Sequence, residues 1–126
     1  MKCGKQNPIN NESIKPIMNK VTLYHYEDPD IKITIETYFN GEWLIIEGYD
    51  IGKRVEEAWG DSDYEYAIGV NQEELKKLYP LMNVPIGYKD GLLKAIANKF
   101  NTKTCYSEYI SFLDKNGIKA EGFSWV

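Results

Sequence analysis

Carboxylates are the most concentrated reactive groups in this chain, and they cluster between Glu47 and Glu65. This segment holds seven carboxylates against two basic residues, so its net charge is −5 in a chain whose net charge is −4. Neighbouring carboxylates form like-charge pairs, which raise the pKa of one member and suit it to acid–base catalysis. Tyrosine and tryptophan stand among the same acids, and that mixture is typical of a surface that binds a basic protein. Catalysis would need a deep cleft, whereas binding would need an exposed face.

Nucleophilic catalysis has few candidate residues in this sequence. His25 is the chain's one histidine, and it alternates in phase with Val21 and Leu23. That pattern predicts a residue at the end of a strand's inner face rather than a general base. Cys105 has no nucleophile motif around it and is expected to be a small buried side chain. Cys3 and Cys105 are too few for a disulfide scaffold, and the sequence leaves open whether they pair.

Metal and cofactor sites are not predicted. Asp61, Asp63 and Glu65 alternate like the start of a calcium loop, but the required glycine at the sixth place and glutamate at the twelfth are missing. One histidine and two distant cysteines cannot supply four zinc ligands. The glycines of residues 48–53 have the wrong spacing for a phosphate-binding loop.

Length and charge narrow the possible classes further. The 126 residues, of which 43% are hydrophobic, fit one domain with a single core. No apolar run is long enough to cross a bilayer, and the N-terminus lacks the hydrophobic region of a signal peptide, so we expect a cytoplasmic protein without membrane contact. Net acidity argues against a nucleic-acid partner, which requires a basic surface.

The elements that must position the acidic segment can be predicted from hydrophobic periodicity. Residues 1–17 are polar and predict a flexible lead-in, which precedes a single domain over residues 18–126. Alternation of apolar and polar residues predicts a three-stranded meander over residues 21–47 and a fourth strand over residues 64–70. Turns are predicted at residues 27–30 and at Asn40-Gly41.

Helices are predicted mainly in the second half of the chain. A short helix over residues 51–59 would have Asp50 as its N-cap. Asn71 and Glu74 form a capping box for a helix that Pro80 must end. Two further helices are predicted after residue 90 and around residues 106–113, followed by a last strand over residues 118–125. The sequence therefore predicts an α+β fold, an antiparallel sheet of four to five strands with three to four helices packed on one face.

Two stretches carry a resemblance to known proteins. The segment GYDIGKRVEEAWGDSDYEY, with the closing NGIKAEGFSW, resembles a group of small uncharacterised bacterial proteins that share a D-I-G-x-x-V-E-E-x-x-G-x-x-D-Y-E-Y core. The resemblance covers residues 42–126. It implies a common fold and the setting of toxin–immunity pairs, in which small acidic α+β proteins neutralise a toxin domain. The matched residues could equally be structural, with Asp50 capping a helix and Asp63 holding the turn before the fourth strand.

We therefore predict a non-enzymatic immunity protein that binds a basic toxin domain, for example a nuclease, and uses no cofactor or metal. Aromatic side chains would anchor the contact and the acids would attract the partner. The predicted partner-binding residues are Asp50, Glu56, Glu57, Trp59, Asp61, Asp63, Tyr64 and Glu65. Two alternatives remain open from sequence: a small interaction or regulatory domain, and a small hydrolase.

Overall fold

Five strands form one antiparallel sheet in the computed structural model of the chain, which describes residues 20–53, 57 and 63–123. The strands lie side by side in chain order, and every neighbouring pair is antiparallel. This arrangement confirms the predicted antiparallel sheet and its returning last strand. The strands are β1 (Val21–Asp28), β2 (Ile31–Asn40), β3 (Trp43–Ile51), β4 (Asp63–Val70) and β5 (Glu121–Phe123).

Two tight turns set the register of the first three strands. In the first turn Asp28 Oδ1 accepts hydrogen bonds from two backbone N–H groups, at 2.8 and 2.9 Å, as expected for an aspartate at a turn. Asn40 pairs with Trp43, so the second turn is centred on Gly41 and Glu42, one residue later than predicted. Gly41 has φ +63°, which is the positive value that the first central residue of a type II′ turn needs.

A bulge in β1 changes the side on which its later residues lie. Thr22 and Tyr24 pair with neighbouring residues of β2, so Leu23 is an extra residue in the strand. The alternation therefore shifts by one position, and Tyr24 follows Leu23 into contact with the core. The prediction that His25 lies on the inner face is wrong, because the bulge turns this residue outward and leaves it exposed.

Three described helices pack on one side of the sheet, as predicted. They are α1 (Gln72–Leu81), α2 (Lys89–Lys99) and α3 (Cys105–Lys115). None of them is long and apolar enough to cross a lipid bilayer. The core on this side, called the helix side below, joins sheet residues with helix residues; these include Leu23, Ile35, Phe39, Leu44, Ile46, Val70, Leu75, Leu78, Leu92, Leu93, Ile96, Tyr109 and Leu113.

The opposite side of the sheet carries polar and aromatic side chains. Strand alternation and the observed register place these residues together. A small second cluster of Tyr38, Ile45 and Ala67 lies on this side, and no described helix packs over it. The side is called the outer face below; its residues include Thr34, Glu36 and Tyr38 of β2, Ile45, Glu47 and Tyr49 of β3, and Asp63, Glu65 and Ala67 of β4.

The predicted capping box forms only in half. Asn71 Oδ1 accepts a hydrogen bond from the backbone N–H of Glu74 at 3.0 Å and so caps α1. The Glu74 carboxylate does not return to Asn71 and instead accepts from the backbone N–H of Lys119 at 2.9 Å. The N-terminus of α1 is thereby tied to the chain that leads into β5.

The predicted helix over residues 51–59 falls largely outside the described residues. Asp50 and Ile51 are the last two residues of β3, whereas Lys53 and Glu57, which are described, are helical. The side chain of Asp50 accepts a hydrogen bond from the hydroxyl of Tyr66, a contact across the sheet rather than the predicted helix cap.

Candidate functional site

The described acids Asp50, Asp63 and Glu65 lie at the end of the sheet where β3 finishes and β4 begins. Residues alternate between the two sides of a strand, so the register divides the predicted binding residues. Asp63 and Glu65 lie on the outer face with Tyr49, whereas Asp50 and Tyr64 lie on the helix side. Among the remaining predicted residues, Glu57 is exposed, and Glu56, Trp59 and Asp61 lie outside the described residues. The structure brings Asp50, Asp63, Tyr64 and Glu65 to one end of the sheet but to both of its sides.

A cleft of about 280 Å³ opens on the outer face beside this end of the sheet. Glu36 and Glu47 stand directly opposite each other on β2 and β3, where two like charges would repel. Lys20 Nζ lies 3.2 Å from Glu47 Oε2 and 3.9 Å from Glu36 Oε1, so one ammonium group compensates both carboxylates. Glu65 and Lys32 complete the charged lining of the cleft.

Glu47 is further held by a tyrosine. The hydroxyl of Tyr38 donates to Glu47 Oε1 at 2.9 Å, and Lys20 Nζ lies 4.8 Å from the centre of the Tyr38 ring. Burial and the hydrogen bond to Glu47 raise the pKa of Tyr38 above its ordinary value, so the hydroxyl stays a donor. Glu47 is thus satisfied within the molecule and has little capacity left for a partner.

Asp63 and Glu65 have more accessible charge. Both are exposed, and neither forms an ion pair with a described lysine or arginine. The Tyr49 hydroxyl donates to Asp63 Oδ2 at 3.2 Å, and partial burial together with this hydrogen bond raises the pKa of Tyr49. Tyr49 as a whole residue is 36% exposed. Two carboxylates and an aromatic ring therefore present themselves together at the edge of the outer face.

A second cavity, of about 340 Å³, lies on the helix side of the same end of the sheet. The Tyr66 hydroxyl donates to Asp50 Oδ1 at 3.0 Å. The Tyr66 ring lies 4.7 Å from that of Tyr106 and 5.5 Å from that of Tyr64, measured between centroids. Burial raises the pKa of Asp50, and the hydrogen bond from Tyr66 offsets part of that rise. Burial likewise raises the pKa of Tyr106 to about 12.

Sequence reasoning did not identify Tyr66 and Tyr106 as site residues. A signal for Tyr66 was present in Gly48, its cross-strand partner, because a Cβ at that glycine would overlap the Tyr66 ring. Reading that signal requires the register of β3 against β4, which strand periodicity does not provide. The contribution of Tyr106 depends on how α3 packs on the sheet, which is a tertiary property.

The two candidates for nucleophilic catalysis, His25 and Cys105, lie in different environments. His25 is exposed beyond the β1 bulge, with Nδ1 at 3.0 Å from Thr34 Oγ1 and Nε2 at 3.7 Å from Glu27 Oε1. Cys105 is buried in the core on the helix side, where burial raises the pKa of its thiol and disfavours the reactive thiolate. Within the described residues, no three His, Cys, Asp or Glu side chains are grouped so as to hold a metal ion.

No protein-family model, curated protein or solved structure matches this chain. The surface chemistry of the chain itself is therefore the basis for a functional proposal.

Proposed function

We propose that this chain is a non-enzymatic binding protein that neutralises a basic bacterial toxin domain, as an immunity protein does. The observation that carries the proposal is the exposed edge of the outer face, where Asp63 and Glu65 lie beside the ring of Tyr49. These two carboxylates are not neutralised by any described cation. No described helix covers this face of the sheet.

This edge suits a positively charged protein partner. Exposed carboxylates attract lysine and arginine side chains over a distance of about 10 Å and accelerate association. A tyrosine beside them supplies a rigid ring that can be buried in the contact, and such rings carry much of the energy of protein interfaces. Aromatic and acidic groups together therefore support recognition of a basic surface such as the active cleft of a nuclease.

Neutralisation would occur by occlusion, without any reaction on this chain. A basic cleft that binds Asp63 and Glu65 loses access to its own anionic substrate. The separate positions of His25 and Cys105, one on an exposed strand and one in the core, support a binding role over a hydrolytic one. The activity of the partner defines the biological effect, and this chain acts by blocking the partner's active cleft.

The proposal can be tested by protection of a bacterial host. A candidate toxin domain, taken from a gene next to this one, would be expressed alone, with this chain, and with an Asp63→Lys/Glu65→Lys variant. Asp114→Lys is the matched control, since Asp114 is exposed near the C-terminal end of α3, away from the outer face. We expect the wild type and the control to protect the host and the double variant to fail. Protection by the double variant, or none by the wild type, would contradict the proposal.

A further inference from the structure

The helix-side cavity combines one carboxylate with a wall of tyrosine rings. Tyr66 stands at 83° to Tyr106 and at 35° to Tyr64, so the rings face the cavity in different planes. Rings in several planes beside a negative charge suit a cation, which is attracted to the faces of the π-systems. The volume of about 340 Å³ is enough for one long side chain.

Asp50 has the capacity to bind such a cation. One of its oxygens, Oδ1, accepts the hydrogen bond from Tyr66, and no described donor reaches Oδ2. The carboxylate is half-buried, so its charge is less screened by water than that of an exposed acid. A planar guanidinium presents paired N–H donors that fit a carboxylate and can stack on a tyrosine ring at the same time.

We propose that this cavity is the socket for an arginine side chain of the basic partner, with Asp50 as its counter-ion and Tyr64, Tyr66 and Tyr106 as its walls. The inference rests on the proposed function and deepens it. Asp50 and Tyr64 form the cross-strand pair next to Ile51 and Asp63, so the socket lies directly behind the acidic edge of the outer face. Both sites therefore lie at the same end of the β3–β4 pair.

Replacement of Lys103 distinguishes an arginine ligand from an anionic or sugar ligand, because it changes their affinities in opposite directions. Its exposed side chain lines the socket and also an adjoining cavity of about 400 Å³ that contains Tyr24, Tyr26 and Thr104. A positive charge at the mouth repels an incoming guanidinium, so removal of this charge should strengthen binding of arginine. An anion, or a sugar that hydrogen-bonds to the ammonium group, would instead bind more weakly once Lys103 is replaced.

The experiment is an NMR titration of the isotopically labelled full chain with N-acetyl-arginine amide. N-acetyl-citrulline amide is the control ligand, because it has nearly the same shape and no charge. We expect saturable shifts of the backbone signals of Tyr66 and Ser107 with the arginine compound and binding weaker by about tenfold or more with the citrulline compound. Equal binding of the two compounds, or no saturable shift at these residues, would overturn the inference.

Variants locate the binding within the socket. Asp50→Asn retains an oxygen for the Tyr66 hydroxyl and removes the charge, and we expect it to weaken arginine binding by about tenfold. Lys103→Met should strengthen binding several-fold, whereas Asp114→Asn, near the C-terminal end of α3, should leave it unchanged. Unaltered binding in Asp50→Asn, or weaker binding in Lys103→Met, would refute the socket. Because the ligand is a small molecule, these results do not depend on whether a toxin is neutralised, so the two proposals fail separately.

Discussion

Tyr66 is the residue on which the helix-side cavity depends, and its position requires a glycine opposite it. The Tyr66 ring covers Gly48 and places its hydroxyl on Asp50. A larger residue at position 48 would displace the ring and break this hydrogen bond. The glycine is therefore explained by close packing across the strands rather than by a turn.

Gly48→Ala should lower the free energy of unfolding by about 1–3 kcal/mol, because overpacking forces the Tyr66 ring to move. Urea denaturation measures the change. Gly122→Ala in β5 is the control, since a Cβ there meets no atom within 4 Å, and we expect it to change stability far less. Equal stability of the Gly48→Ala variant and the wild type would show that the ring is not tightly held.

A second residue-scale prediction concerns Tyr109 in α3. This side chain is fully buried, and its hydroxyl finds no hydrogen-bond partner in the described part of the molecule. A buried hydroxyl without a partner costs free energy. Burial also raises the pKa of Tyr109, so the ring stays neutral.

Tyr109→Phe should therefore raise the free energy of unfolding by about 1 kcal/mol. Tyr66→Phe serves for comparison and should lower it, because that substitution removes the bond to Asp50. Thermal and urea unfolding of both variants measure whether the free energy of unfolding rises or falls in each. A loss of stability in Tyr109→Phe would mean that the hydroxyl does have a partner.

At the scale of elements, Glu74 links α1 to the chain that leads into β5. Its carboxylate accepts from the backbone N–H of Lys119 at 2.9 Å and from Lys77 Nζ at 3.0 Å. These two donors lower the pKa of Glu74, and the backbone N–H of Lys119 has the larger effect. The stabilisation is complete above the ordinary pKa of a glutamate and is lost as the pH falls through the lowered pKa of the folded state.

Glu74→Gln should destabilise the protein at neutral pH, and the difference from the wild type should shrink as the pH falls below about 4. Hydrogen exchange at the Lys119 amide reports the same link directly and should become faster in the variant. Glu73→Gln is the control, because Glu73 is exposed and, among the residues that the structure describes, pairs with Lys76 alone. A stability difference that does not vary with pH would contradict the assigned role of the charge.

Sequence periodicity predicted the helices and strands better than it predicted the side of the sheet on which each strand residue lies. The four long strands and the three described helices follow from alternation, helical spacing and the Asn71 cap. The bulge at Leu23 reverses the later part of β1, and a bulge leaves no clear mark on hydrophobic alternation. His25 was therefore placed on the wrong side of the sheet.

At the scale of the whole molecule, the sequence also did not predict on which side of the sheet the candidate site residues lie. Contiguous acids suggested one binding surface, but alternation along β3 and β4 places Asp63 and Glu65 on one side and Asp50 and Tyr64 on the other. Only the register shows that the two groups remain neighbours at one end of the sheet. The binding site proposed for the partner is therefore this end, with carboxylates on both of its sides.

The affinity of the chain for its toxin domain, measured across a range of salt concentrations, reports whether the acidic end of the sheet is the contact surface. We expect that wild-type binding weakens steeply as salt rises, and that Asp63→Lys/Glu65→Lys loses at least about tenfold in affinity at low salt. Asp114→Lys should bind as the wild type does. Affinity that is independent of salt and unchanged in the double variant would contradict recognition through the acidic end of the sheet.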